Sequence, residues 1–117
     1  MIDFILEIGG NHEGDFNYAK KLILNAVKTK ANIIKTQIYK GDTLVNKLYS
    51  PQRNKHFKKF ELSFEQHIEL AKIISGEGKL YSTSIWDINL IDKIDKYVDI
   101  YKIGSGDLTS YQIISEL

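Results

Sequence analysis

Short apolar runs alternate with segments of helical period along this chain, and that alternation limits the available folds more than any other feature. Phe4-Ile-Leu-Glu-Ile8 stops at Gly9-Gly10, the pattern of a buried strand ended by glycine. Asp15 can cap a helix whose apolar positions Ala19, Leu22, Ile23, Ala26 and Val27 recur at three and four residues. Residues 33–39 read as a second strand. Ser63 and Gln66 form a capping-box pattern at the head of a helix carrying Phe64, Ile68, Ala71 and Ile74, which ends near Gly76 and Gly78. Residues 79–85 read as a third strand, Asp87 can start a helix bearing Ile88, Ile91 and Ile94, and residues 98–103 read as a fourth strand. Thr109 or Ser110 can open a last helix, of which Tyr111 to Leu117 is the beginning.

Crossovers of this length join parallel strands, not hairpins. An open doubly wound sheet binds ligands where strand order reverses, whereas a barrel places polar side chains at the carboxyl end of every strand; the second pattern is the one present. The expected fold is therefore α/β, an incomplete (β/α)8 TIM barrel of about four parallel strands with three to four helices. The one long connection, Lys40 to Leu62, holds the sole proline and the basic residues Arg53, Lys55, His56, Lys58 and Lys59. A loop of that length is functional or disordered, and its cluster reads either as solvated surface or as a site for an anionic substrate.

Charged side chains interrupt the strands where a core would be apolar. Lys35 and Gln37 are two apart and so face the same side of the second strand. Glu7 falls near the end of the first strand and Lys102 lies between Tyr101 and Ile103 in the fourth. Burying an unpaired charge costs several kcal/mol, so these groups must pair with one another or with a ligand at the mouth of the sheet. Lys102-Ile-Gly-Ser-Gly-Asp107 adds glycines that let backbone approach a ligand, before a helix start that attracts anions. Asn11, His12, Glu13 and Asp15 make a second polar loop. Phe57, Phe60, Phe64, Tyr81 and Trp86 are most simply core or helix-packing residues.

Composition excludes several classes. Sixteen basic against fifteen acidic side chains leave a net charge of +1, too little to draw nucleic acid or anionic lipid by a long-range field. No cysteine is present, which removes disulfide scaffolds, thiolate zinc sites and cysteine nucleophiles. No apolar run approaches the roughly 18 residues of a membrane span, and the acidic start is unlike a secretory signal. Neither the phosphate loop of nucleotide-binding proteins nor a dinucleotide fingerprint occurs, and Ser105 has no elbow motif or evident base. The chain is expected in the cytoplasm, with no nucleic-acid or membrane partner.

Glu7-Ile-Gly-Gly-Asn-His-Glu-Gly-Asp15, Ile34-Lys-Thr-Gln37, Glu61-Leu-Ser-Phe-Glu-Gln-His-Ile-Glu69 and Tyr101-Lys-Ile-Gly-Ser-Gly-Asp-Leu108, in this order, resemble successive blocks of the sialic acid (N-acetylneuraminate) synthase family. The resemblance covers the whole chain. It implies a metal-dependent condensation of phosphoenolpyruvate with N-acetylmannosamine or a related N-acyl hexosamine. By resemblance, Lys35, Lys102 and Ser105 would hold the phosphate and carboxylate of phosphoenolpyruvate, and Glu7 and Asp107 would be the acid and base candidates. Gln37 and Thr83 match positions that line the site; Asn11 and His12 match the loop that closes it. Ser82-Thr-Ser-Ile-Trp86 departs from the Ser-Thr-Pro-Phe of many members. The resemblance also implies a divalent cofactor, manganese or magnesium, bound by histidines on later strands, and a C-terminal antifreeze-like domain, neither within these residues. Residues 1–117 are thus expected to be the amino-terminal half of the barrel, inactive alone, homo-oligomeric or dependent on the other half-barrel. The rival readings are a non-catalytic α/β module holding a phosphorylated or carboxylated ligand, and another phosphoenolpyruvate-dependent sugar-acid synthase.

Overall fold

A computed structural model describes residues 2–117. Strand β1 (Ile5–Glu7) leads into helix α1 (Phe16–Ala26), then β2 (Ile33–Ile38), α2 (Gly41–Leu44), α3 (Pro51–Phe60) and α4 (Phe64–Gly76). Strand β3 (Leu80–Ile85), helix α5 (Ile91–Ile94) between two 3₁₀ turns, β4 (Ile100–Tyr101), a 3₁₀ turn over Ser105–Asp107 and α6 (Tyr111–Glu116) follow. All pairings are parallel, in the order β1-β2-β3-β4. None of the described helices is long and apolar enough to cross a membrane.

Local chemistry accounts for the main elements. The Asp15 side chain accepts the Tyr18 N–H at the head of α1, and Ser63 with Gln66 forms the full reciprocal capping box of α4, each meeting donors that a helix start leaves orphaned. Ala19 and Ile23 of α1 and Leu70, Ala71 and Ile74 of α4 pack on Ile8, Ile34 and Tyr81 of the sheet. A second cluster joins Ile38 and Ile85 to Leu90, Ile91 and Ile94. Both clusters lie on one side of the sheet.

Parallel register fixes the other side. Ile5, Ile33 and Leu80 form one row, and Glu7, Lys35, Ser82 and Ile100 the next. Of these, Ile5, Leu80 and Ile100 are 55%, 44% and 36% exposed, so the face that would be a barrel lumen is open.

Two expectations need correction. The fourth strand is two residues long, not six, because Asp99 pairs through its side chain: its carboxylate accepts the Tyr81 N–H at 2.8 Å while its own N–H donates to the Tyr81 carbonyl. The long connection is no loop but the helix pair α2 and α3. Pro51 sits at the start of α3, where its missing N–H costs nothing. The pair is closed by polar contacts: the buried Asn54 amide donates to the Gly41 and Val45 carbonyls, Lys58 bonds Asp42 at 2.8 Å, and the Gly41 N–H donates to Glu61 at 2.6 Å.

Candidate active site

Strand β1 ends at Glu7 and β2 carries Lys35 beside it in register, and the two charges meet: Lys35 Nζ donates to Glu7 Oε2 at 2.6 Å. The lysine side chain is only 6% exposed and the glutamate 48%. The ammonium is thus desolvated and compensated, while its carboxylate faces outward. Glu7 Oε1 accepts the Gly9 N–H at 2.9 Å, which fixes the carboxylate against the turn. A methyl group on Gly9 would stand 3.5 Å from Glu7 Oε1 and 3.7 Å from Gln37 Nε2, so the Gln37 amide lies beside the ion pair.

The next row outward holds Gln37, Ser84 and Lys102. Gln37 pairs with Ser84 in register, and Ser84 Oγ donates to the Lys102 carbonyl at 3.0 Å. Lys102 is exposed and makes no ion pair among the described residues. Strand spacing sets its Cα about 12 Å from that of Lys35, a gap that two lysine side chains and one small dianion can close.

Thr83 does not join this group. It pairs with Thr36 in register, fully buried on the helix-packed side, and its hydroxyl donates to the Thr36 and Ser84 carbonyls. Its neighbour Ser82 shares the row of Lys35 and has a buried hydroxyl without a hydrogen-bond partner in the structure. Ser82 and Ser84 are the polar residues that the sequence did not single out. Their two-residue spacing, matching Lys35 and Gln37, was the available signal.

Beyond β4, Ser105 is exposed, and Asp107 Oδ2 accepts the Trp86 indole N–H at 2.9 Å, tying this turn to the end of β3. In the loop after β1, Asn11 is exposed and His12 is buried, the His12 Nδ1 accepting the Gly14 N–H at 3.0 Å. Burial lowers the His12 pKa. Deeper still, His67 of α4 is pushed down to about 4, mainly by burial and further by His12, and its Nδ1 has no partner. Both imidazoles are therefore neutral at pH 7.

A divalent ion does not fit these residues by themselves. No three His, Asp or Glu side chains converge among the described residues, and His12 Nδ1 is already committed to the backbone. What the arrangement can do is hold an anion between Lys35 and Lys102, with Glu7 and Asp107 as flanking carboxylates.

A profile of the NeuB family matches residues 22–117. An N,N'-diacetyllegionaminic acid synthase of Legionella pneumophila is 34% identical, the match covering 91% of this chain and 33% of that protein. A human N-acetylneuraminate-9-phosphate synthase is 27% identical, over 96% and 34%. The chain spans about a third of the length of these relatives. The crystal structure of a sialic acid synthetase from Leptospira borgpetersenii, in complex with citrate, superposes with a TM-score of 0.89 at 25% identity, covering 98% of this chain and 40% of that one.

Proposed function

We propose, from the premise that this chain belongs to the NeuB family, that it forms the phosphoenolpyruvate-holding side of a sugar-acid synthase that condenses phosphoenolpyruvate with an N-acyl hexosamine and releases phosphate. The observation that carries this is the charge gathered at the carboxyl ends of the strands: Glu7 paired to a desolvated Lys35, with Lys102 one row outward and without an ion-pair partner among the described residues. An anion carrying both a carboxylate and a phosphate supplies what that face lacks, an acceptor for Lys102 and for the orphaned Ser82 hydroxyl. An acyl amide is common to the products that the relatives' names print, which supports an N-acyl hexosamine as the acceptor.

In this reading Lys35, Lys102 and Ser105 bind and orient phosphoenolpyruvate, and Ser82, beside Lys35, lines the site where Thr83 was expected to. The methylene carbon attacks the aldehyde of the open-chain sugar, water attacks the adjacent carbon, and phosphate departs. Glu7 and Asp107 are the acid and base candidates: the proton for the forming hydroxyl passes from the Lys35 ammonium through the Glu7 carboxylate it already bonds, Asp107 takes one from the water, and Gln37, Asn11 and His12 bound the acceptor. The divalent ion expected for the complete enzyme, manganese or magnesium, would take its ligands from outside these residues and supply electrophilic activation of the aldehyde. The complete enzyme is proposed to be cytoplasmic.

The test is calorimetric titration of phosphoenolpyruvate into the chain and its Lys102→Ala variant. The expected outcome is saturable binding that the substitution weakens at least tenfold, as loss of a charge-assisted contact implies. Equal affinity of the two proteins would sink the reading and leave Glu7 and Lys35 as a structural pair.

A further inference from the structure

On the helix-covered side of the sheet, a cavity of about 510 Å³ opens between the start of α4 and residues 90–93. Ile38 forms part of its floor, and because it follows Gln37 in β2 it points away from the face that carries Lys35 and Gln37. The floor is apolar and finished by packing: Ile38, Leu62 and Leu90 are 1%, 7% and 7% exposed. One group there is not finished. His67 also lines the cavity, is 2% exposed, and has a buried Nδ1 with no hydrogen-bond partner in the structure, which a fold seldom leaves without cause.

The rim carries both signs of charge. Lys40 and Lys93 border the cavity and have no ion-pair partner among the described residues. Glu61 and Glu65 stand with them, each engaged on one side only. Glu61 Oε2 accepts the Gly41 N–H at 2.6 Å. Glu65 is held below the usual carboxylate value, first by its own backbone N–H, next by the Ser63 hydroxyl, and to a smaller extent by Lys40. A carboxylate offers about four acceptor positions, so both keep room for a further donor.

We propose that this cavity binds a free α-amino acid with an apolar side chain: Lys40 and Lys93 take its carboxylate, Glu61 and Glu65 its ammonium, and the floor its side chain. The inference goes beyond the synthase reading and does not depend on it. A guest of one sign gains little here, because an anion would stand beside two carboxylates and an amine beside two ammoniums, repulsion offsetting attraction. A neutral apolar guest would cover ionised groups and give them no partner. A divalent cation lacks a ligand set, since no three His, Asp or Glu side chains converge among the described residues. A molecule with both charges on one carbon and an apolar body meets both pairs and the floor together. The volume falls within the range of small-ligand pockets and admits a side chain the size of leucine's.

The test is a titration of leucine into the chain, followed by amide and imidazole proton NMR. N-acetyl-leucine, which keeps only the carboxylate charge, and leucinamide, which keeps only the ammonium, are titrated beside it. Leucine is expected to shift the His67 ring protons and the Leu90 and Lys93 amides saturably, and to bind at least about fivefold more tightly than either analogue. Lys93→Ala and Glu65→Gln, both at exposed positions, are expected to weaken leucine severalfold while the remaining signals keep their places, and Lys93→Arg to retain it. An analogue that binds as tightly as leucine, shifts that lie outside this cavity, affinity unaltered in both charge variants, or no saturable shift at all each overturns the proposal. Phosphoenolpyruvate titrated separately reports on the opposite face, so failure of the amino acid leaves the synthase reading standing.

Discussion

At the residue scale, the two chemically loaded groups are Lys35 and His67. Lys35 is desolvated and has one carboxylate, so Glu7→Gln strips its compensation. We expect a loss of roughly 1–3 kcal/mol of stability, read as a lowered thermal midpoint, and its partial recovery when phosphoenolpyruvate is added. Failure of the ligand to restore any of it would argue that Lys35 never meets an anion. His67 gives a pH dependence. The unfolded imidazole takes up a proton below its ordinary value of 6.5, whereas the folded one resists down to about 4. Its contribution is therefore complete above pH 6.5 and is lost as pH falls through that window, on the order of 3 kcal/mol by pH 4; His12 adds in the same sense. Urea midpoints measured from pH 7.5 to 4 are expected to fall steeply, and His67→Leu is expected to flatten the slope.

At the element scale, the α2–α3 pair is the part of the fold that depends most on close approach. A methyl group at Gly41 would stand 2.5 Å from the Lys58 backbone nitrogen, and one at Gly14, whose φ is +83°, would collide with the Lys59 carbonyl. Gly41→Ala is expected to cost about 1–3 kcal/mol by forcing the helices apart. Ser63→Ala, at the capping box of α4, is expected to cost about 1 kcal/mol. Thermal denaturation of both variants checks these losses. The sequence concealed α3 because it buries little apolar surface: Asn54 is its one fully buried residue. Its order comes from Glu61, Asp42 and Asn54 meeting backbone and lysine partners, contacts invisible to a hydrophobic period. The helices α1 and α4 were legible because Ala19, Ile23, Leu70 and Ile74 repeat an apolar stripe and each start carries its own cap.

At the scale of the whole molecule, four parallel strands are covered with helices on one side, and on the other Ile5, Leu80 and Ile100 are exposed. An exposed apolar strip of this kind at the amino-terminal end of that face, between two sheet edges, favours association. Sedimentation is expected to show a mass that rises with concentration, and Ile100→Lys to lower it; a monomer at all concentrations would contradict this. Given phosphoenolpyruvate, manganese and N-acetylmannosamine, the chain alone is expected to release no phosphate. The alternation of strand and helix, the capped helices and the charges at strand ends were determined by the sequence itself, since caps, periodicity and the cost of buried charge all act over a few residues. Which side each strand presents was decided only by tertiary structure. Lys35 and Gln37 could be phased against each other within one strand, but Thr83 could not be phased against them. Register between strands is set by packing against Ile23, Ile74 and Ile94 from distant segments, and one residue of slip exchanges Thr83 for Ser82 and Ser84.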